Sequence, residues 1–348
     1  MTIRIIQVGL GEWGRDWAVN VLPFVEGIEV VAAVDVDPAA IEQARAVGLL
    51  DGIAVYDTVE TALRRTDADA VLATVAIAAH GPVALAALEA GRHVLVEKPF
   101  TVTLPQARQA VEVARARGLT LAVSQNYRYD PATTLVSRLV RERELGEVHG
   151  LAVDFRRFRR FDDARSAHPE FDHSILVQIA IHHFDLMRAI LERDPVRVYC
   201  HTWRPPASES KAPQAAAAVI EFDGGTVASY RGSMVSSGAQ TPWGGAWRIE
   251  CADGDILVRG PEYPGELGDI EVGPGDPEYV EIRPRAGAVR KVQLPTMPSN
   301  RLGVLEAFVH AVDRGTDLPI SGHNNLPSLA LMIAAGESAR QGRAVPVA

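Results

Sequence analysis

Cysteine is almost missing from this chain. Cys200 and Cys251 are the only two, and no CxxC pair occurs. That removes a disulfide scaffold and a structural zinc site from consideration and makes a reducing cytoplasm the expected compartment. Long apolar runs are missing too: none approaches the roughly 18 residues of a membrane span. The first residues, Met1 to Val8, lack the extended apolar core and small-residue cleavage site of a signal peptide and read as a strand instead. Positive charge is in deficit, with 35 Lys and Arg against 44 Asp and Glu and a net charge of −9. Neither nucleic acid nor a membrane surface is an expected partner of such a chain. No His, Asp or Cys cluster has metal-ligand spacing, so no metal is expected.

What is present is ordinary soluble-protein material, 47% hydrophobic and 23% charged over 348 residues, enough for two cores. The apolar run Ile3 to Val8 ends in Gly9-Leu10-Gly11-Glu12-Trp13-Gly14. A strand that enters GxGxxG and then a helix is the setting in which the motif binds a dinucleotide. Gly9 permits the tight turn, Gly11 clears the approach of a pyrophosphate, and Gly14 lets helix and sheet pack closely. Glu12 and Trp13 lie inside the turn and are counted with the glycines as cofactor-contacting. A second strand, Ile28 to Val34, ends at Asp35, about 20 residues beyond the last glycine, where a carboxylate reaches ribose hydroxyls. Val36 and Asp37 follow, with no Arg or Lys to receive a 2′-phosphate, so NAD is expected in preference to NADP.

The alternation continues. Helices are expected over Pro38 to Val47, Thr58 to Arg65, His80 to Gly91 and Leu104 to Arg117. Strands are expected at Ala54 to Tyr56, Ala70 to Val75, His93 to Val96 and Leu119 to Ser124. Such alternation implies a doubly wound parallel sheet, whose ligands sit at the carboxyl ends of the strands. Asp35, Thr74, His80, Lys98 and Asn126 all fall at or just beyond strand ends. Lys98 in Glu97-Lys98-Pro99 is the central residue: a lysine partly removed from water there can exchange a proton or hold a developing alkoxide.

The glycine turn, Asp35, His80, Glu97-Lys98-Pro99 and the later His182-His183-Phe184-Asp185 together resemble the Gfo/Idh/MocA family, and the stretch Ala86 to Pro99 is specific for it. The resemblance covers essentially the whole chain. It implies an α/β protein with a Rossmann domain (1–124) for NAD(P) and a substrate-binding and oligomerisation domain (125–348). The second domain is α+β, with a large, mainly antiparallel open sheet. It implies a substrate over the nicotinamide, with Lys98 touching both, Thr74, His80, Glu97 and Asn126 on the cofactor side, and Tyr127 reaching toward the substrate.

In the second domain, Ser174 to Glu192 reads as an apolar helix with Gln178, His182 and Asp185 on one face at i, i+4 and i+7. The family pattern is Asp-x-x-x-His-x-x-Asp, its first acid and histidine handling the proton and its last acid mostly structural. Gln178 replaces that first acid. An amide orients a hydroxyl or an imidazole but cannot ionise. Lys98, His182 and Gln178 are the expected catalytic residues, and Lys98, Tyr127, Gln178 and His182 the substrate contacts. His183 is expected to pack. Pro131 to Glu144 reads as a helix, Val148 to Phe155 as a strand. The basic run Arg156, Arg157, Arg159, Arg160, Arg165 is either a rim for acidic substrates or a solvated, ion-paired strand end. Seven further short strands between Val196 and Leu294 suit one broad sheet, with a loop over Pro261 to Pro277 and helices over Asn300 to Gly315 and Leu326 to Gly342. By resemblance the sheet's free face makes a homodimer or homotetramer.

The expected activity is NAD-dependent hydride transfer at a secondary alcohol of a sugar, polyol or related cyclic compound. Two alternatives stay open: an enzyme that recycles a tightly bound NAD, as glycosidase or aldose oxidoreductase, and a non-catalytic sugar or dinucleotide sensor.

Overall fold

The computed structural model describes residues 2–158, 173–206, 208, 210–261 and 278–348. The chain forms two compact units, Met1–Asn126 with Pro298–Leu326, and Tyr127–Met297 with Pro327–Ala348. A single boundary at 124/125 assigns residues 298–326 to the second domain, whereas they return to the first unit.

The first unit is a parallel sheet of six strands: β1 (Ile3–Val8), β2 (Ile28–Val34), β3 (Ala54–Tyr56), β4 (Ala70–Ala73), β5 (His93–Val96) and β6 (Leu121–Val123). Their order is β3-β2-β1-β4-β5-β6, and every pairing is parallel. The order reverses between β1 and β4, which is where sheets of this kind bind ligands. Helices α1 (Glu12–Asn20), α2 (Pro38–Ala46), α3 (Val59–Arg65), α4 (Ile77–Glu89) and α5 (Leu104–Arg117) make the connections. β4 is buried at every residue. Its sequence therefore runs apolar without alternation, as a strand covered on both faces must.

Helix ends follow local chemistry. Asp37 caps α2 by accepting from the Ala39 amide at 2.9 Å, and Pro38 follows at a position that needs no amide hydrogen. Gly118 closes α5 in the left-handed region at φ 65°. Expected boundaries shift by a few residues, and two of the shifts bear on the site. β4 stops at Ala73 rather than Val75, and α4 starts at Ile77, so His80 lies inside its first turn.

The second unit holds a nine-stranded sheet built from β7 (Val148–Arg156), β8 (Pro195–Trp203), β9 (Ala215–Phe222), β10 (Val227–Ser233), β11 (Ala246–Cys251), β12 (Gly254–Arg259), β13 (Tyr279–Pro284), β14 (Arg290–Val292) and β15 (Val345–Pro346). The order is β14-β13-β12-β11-β7-β10-β9-β8-β15. Among the described residues only β7 and β10 pair in parallel, so the sheet is mainly antiparallel. β15 was not expected; two residues carry no periodicity. Along β8, Val198 and Cys200 are buried while Tyr199 is exposed, and Val219, opposite Tyr199 on β9, is exposed on the same face.

This unit also contains α6 (Pro131–Arg141) and α7 (Ile181–Leu191), the latter entered through a π-helical turn, Leu176–Ala180. The chain then adds α8 (Asn300–Arg314) to the first unit and continues, ahead of β15, into α9 (Gly322–Gln341), which starts earlier than the expected Leu326. Just before α9 the Val123 amide donates to the Ile320 carbonyl at 2.9 Å, and Ala122 bridges Ser321. These contacts cover the free edge of β6.

Candidate functional site

The glycine turn leaves β1 under steric rules that no other residue meets. A Cβ on Gly14 would lie 2.0 Å from the Gly9 carbonyl oxygen, and one on Gly9 would lie 2.7 Å from the Thr74 backbone, at a φ of 100°. Gly11 differs: nothing lies within 4 Å of an added Cβ. Gly11 also caps α1 without any side-chain acceptor, so the first amides of the helix remain for an anionic ligand. The turn is propped from below. Thr74 Oγ1 donates to the Gly9 carbonyl at 2.9 Å, and Gln7 Nε2 donates to the Gly14 carbonyl at 2.7 Å.

Asp35 ends β2 beside this turn. Its Oδ2 accepts from the Leu10 amide at 2.6 Å and its Oδ1 from the Asp37 amide at 2.9 Å. The carboxylate is thus fixed by backbone donors, with lone pairs left for hydroxyls. Val36, next in the chain, is 82% exposed.

Glu97 and Lys98 stand at the carboxyl end of β5. Glu97 is buried. It accepts from Trp17 Nε1 on α1 at 2.9 Å and from the Lys98 amide at 3.2 Å. Lys98 itself is half-buried. The Glu97 carboxylate therefore ties α1 to the strand end that presents the lysine. His80 is 1% exposed. Its Nδ1 lies 2.7 Å from the Pro99 carbonyl and its Nε2 3.1 Å from the Val75 carbonyl. Burial pushes its pKa down, against the pull of those two carbonyls and of Glu97. From this position His80 acts on the backbone that flanks Lys98. Asn126 donates through Nδ2 to Asn300 Oδ1.

The second unit gathers the other expected residues. Tyr127 and His182 are both buried and stack with ring centroids 4.2 Å apart and planes 13° apart. Gln178 lies in the π-helical turn, and its Nε2 donates to Ser174 Oγ at 2.7 Å. The widened turn changes the simple i, i+4 stacking on which its shared face with His182 was expected, and π turns recur at functional sites. Asp185 is 1% exposed. It accepts from Arg128 Nε at 2.5 Å and Nη2 at 2.8 Å, and from Ser328 Oγ at 2.5 Å.

His183 is fully buried among Phe155, Tyr230 and Trp247. It donates from Nε2 to the Trp243 carbonyl at 3.1 Å and accepts at Nδ1 from the Tyr230 hydroxyl at 3.3 Å. Burial holds its pKa down at about 4. The unfolded chain takes up this proton near pH 6.5 and the folded one only near 4. Stability from this group is therefore complete above pH 6.5 and is lost as pH falls to 4, by about 3 kcal/mol. Denaturant unfolding at several pH values, compared with His183→Phe, should show a steeper acid loss in the parent chain; equal slopes would refute this.

The basic run divides. Arg156 pairs with Asp154 at 3.0 Å. Arg157 is buried, lies over the Trp243 ring at 4.8 Å and donates to the Thr241 carbonyl. It is a core residue rather than part of a rim. Arg159, Arg160 and Arg165, like the loop expected up to Pro277, fall outside the described residues. Among the described residues no group of His, Cys, Asp or Glu is placed to hold a metal ion, and no helix is long and apolar enough to cross a membrane.

Sequence reading missed Trp17, Asn300 and Arg301. Trp17 and Glu97 are 80 positions apart, and no local pattern announces such a partner.

Residues 3–125 match the model of an oxidoreductase family with an NAD-binding Rossmann fold, and residues 133–257 match that of the GFO/IDH/MocA C-terminal domain. The chain is 23% identical over 344 residues to the 1,5-anhydro-D-fructose reductase of Ensifer adhaerens, covering 98% of this chain and 97% of that one. An oxidoreductase from Agrobacterium radiobacter, solved with NAD+, L-tartaric acid and magnesium, is similar over 100% of this chain and 99% of that one, at TM-score 0.82 and 19% identity. The aldose-aldose oxidoreductase of Caulobacter crescentus, complexed with glycerol, is similar at TM-score 0.82 and 19% identity, over 99% of this chain and 100% of that one. At such identity the structures share a fold.

Proposed function

The chain belongs to the Gfo/Idh/MocA family of oxidoreductases, and we propose that it oxidises or reduces a secondary alcohol or ketone of a sugar, polyol or related cyclic compound, using NAD in preference to NADP. One observation carries this reading: the dinucleotide turn and Lys98 are held in one hydrogen-bonded cluster, through Trp17 and Glu97.

The residues fit the cofactor. The space beside Gly11 and the free amides of α1 suit a diphosphate. Asp35 suits the adenosine ribose hydroxyls, and its charge, with Asp37 nearby, disfavours a 2′-phosphate. Bound nicotinamide supplies the hydride acceptor or donor. Lys98 holds the reacting oxygen and shares its proton. His182 is the second acid or base, held flat by Tyr127, and Gln178 positions His182 or a substrate hydroxyl. The exposed sheet face around Tyr199 and Val219 serves a homodimer or homotetramer.

Gln178 in place of an acid favours a second reading, a non-catalytic sensor. One experiment separates the two: absorbance of reduced nicotinamide with NAD and NADP against sugars, polyols and sugar acids, beside calorimetric dinucleotide binding. NAD-dependent turnover is expected. Tight NAD binding without turnover on any substrate would replace the dehydrogenase reading with the sensor, or with an enzyme that recycles its cofactor. Turnover with NADP alone would refute the preference drawn from Asp35.

A further inference from the structure

The first turn of α8 carries two features that its own fold does not need. Asn300 sits at φ 56°, a left-handed conformation that costs any residue but glycine and that persists where the surroundings enforce it. Its side-chain oxygen accepts from Asn126 Nδ2, which gives the Asn126 amide a fixed orientation. Arg301, 9% exposed, places its guanidinium 4.3 Å from the centre of the Trp13 ring and 5.6 Å from that of Trp17, and it pairs with Asp16. Trp13 belongs to the glycine turn, Asp16 and Trp17 to the helix that the turn opens. Trp17 in turn holds Glu97. Adjacent residues of one returning helix thus grip two separate parts of the first unit: the glycine turn and the segment just beyond β6.

We propose that Asn300 and Arg301 are cofactor-positioning residues, Arg301 setting the glycine turn for the diphosphate and Asn300 setting Asn126 for the nicotinamide half of a pyridine dinucleotide. The inference rests on the dinucleotide reading above. A planar guanidinium on an aromatic face is stiff and weakly hydrated, so it braces Trp13 without competing for the anion. The Asp16 carboxylate balances the guanidinium charge, so its effect is on geometry rather than on net potential. Asn300 does for Asn126 what a backbone carbonyl does elsewhere: it fixes which way the amide points.

Calorimetric titration of the full chain with NAD+ and with ADP separates the two roles, because ADP lacks the nicotinamide half. Asn300→Gly retains the positive φ without strain and removes only the acceptor. It is expected to keep the thermal midpoint, to weaken NAD+ about tenfold and to leave ADP unchanged, the size of one lost polar contact. Arg301→Met keeps the apolar stem and is expected to weaken NAD+ and ADP alike, about tenfold, with Arg301→Lys recovering part of the loss. Parental NAD+ affinity in both Asn300→Gly and Arg301→Met overturns the proposal. Loss of midpoint with unchanged affinity assigns the pair to the fold alone and overturns it too. Should Arg301→Met fail to fold, Asn300→Gly decides. A parent chain that binds neither probe overturns the dinucleotide reading, and this inference with it.

Discussion

Lys98→Met should lower kcat by about two to four orders of magnitude, the range for a positioned acid or base. Methionine keeps the length and apolar stem of the side chain and removes its donor. The change leaves the backbone hydrogen bonds at Glu97 and His80 in place, so the strand end keeps its shape. The Trp17–Glu97 bond, which links this site to α1, is likewise untouched. Dinucleotide affinity should therefore move far less than kcat. Steady-state kinetics on the best substrate of the panel, with calorimetric NAD+ binding beside it, reads both. A variant with parental kcat would remove Lys98 from the chemistry. A variant whose kcat is intact at saturation but whose NAD+ affinity collapses would make Lys98 a cofactor ligand only.

The second large effect concerns stability. Asp185→Ala should destabilise the chain by about 3–5 kcal/mol, because it strands a buried guanidinium. Arg128 and Asp185 have side chains 9% and 1% exposed and meet through two hydrogen bonds, with Ser328 donating to the same carboxylate. Replacing both partners, Arg128→Met with Asp185→Leu, should recover most of the loss, since a buried pair is held against its desolvation cost and an apolar pair is not. Denaturant midpoints at constant slope measure both. A loss below about 1 kcal/mol in the single variant, the range of exposed pairs, would mean that water reaches Arg128. The pair lies one helical turn beyond His182, and Arg128 follows Tyr127, so the same ion pair fixes both ends of the stacked Tyr127–His182 unit.

The sequence reveals those features that local chemistry determines. β4 is apolar throughout because both faces are covered, and β1 and β5 are mostly apolar runs that stop at Gly9 and Glu97, so local composition marks all three as strands. The glycine turn was found because three steric demands fall at fixed spacing. Asp35 stands out in the sequence because a strand end and a chain distance coincide. Other features depend on partners far along the chain. The π turn at Leu176–Ala180 lies inside an apolar stretch whose pattern suits an ordinary helix equally well. The contacts of His80 are another such case: with α4 starting at Ile77, its ring nitrogens meet the Pro99 and Val75 carbonyls, which no local pattern announces. Arg157 reads as one of several surface arginines and is buried against Trp243. Periodicity tells how a residue is covered, not by what.

The return of residues 298–326 to the first unit also bears on synthesis. A ribosome that has released residues 1–126 has produced all six strands of the parallel sheet, but not the Ile320 and Ser321 backbone that shields β6. Until nearly the whole chain has emerged, that nascent sheet carries an open edge, the feature most prone to pairing with a neighbouring chain. The second unit is thus made inside a pause in the completion of the first, and the order of translation, as much as the final contacts, sets when the dinucleotide unit is closed.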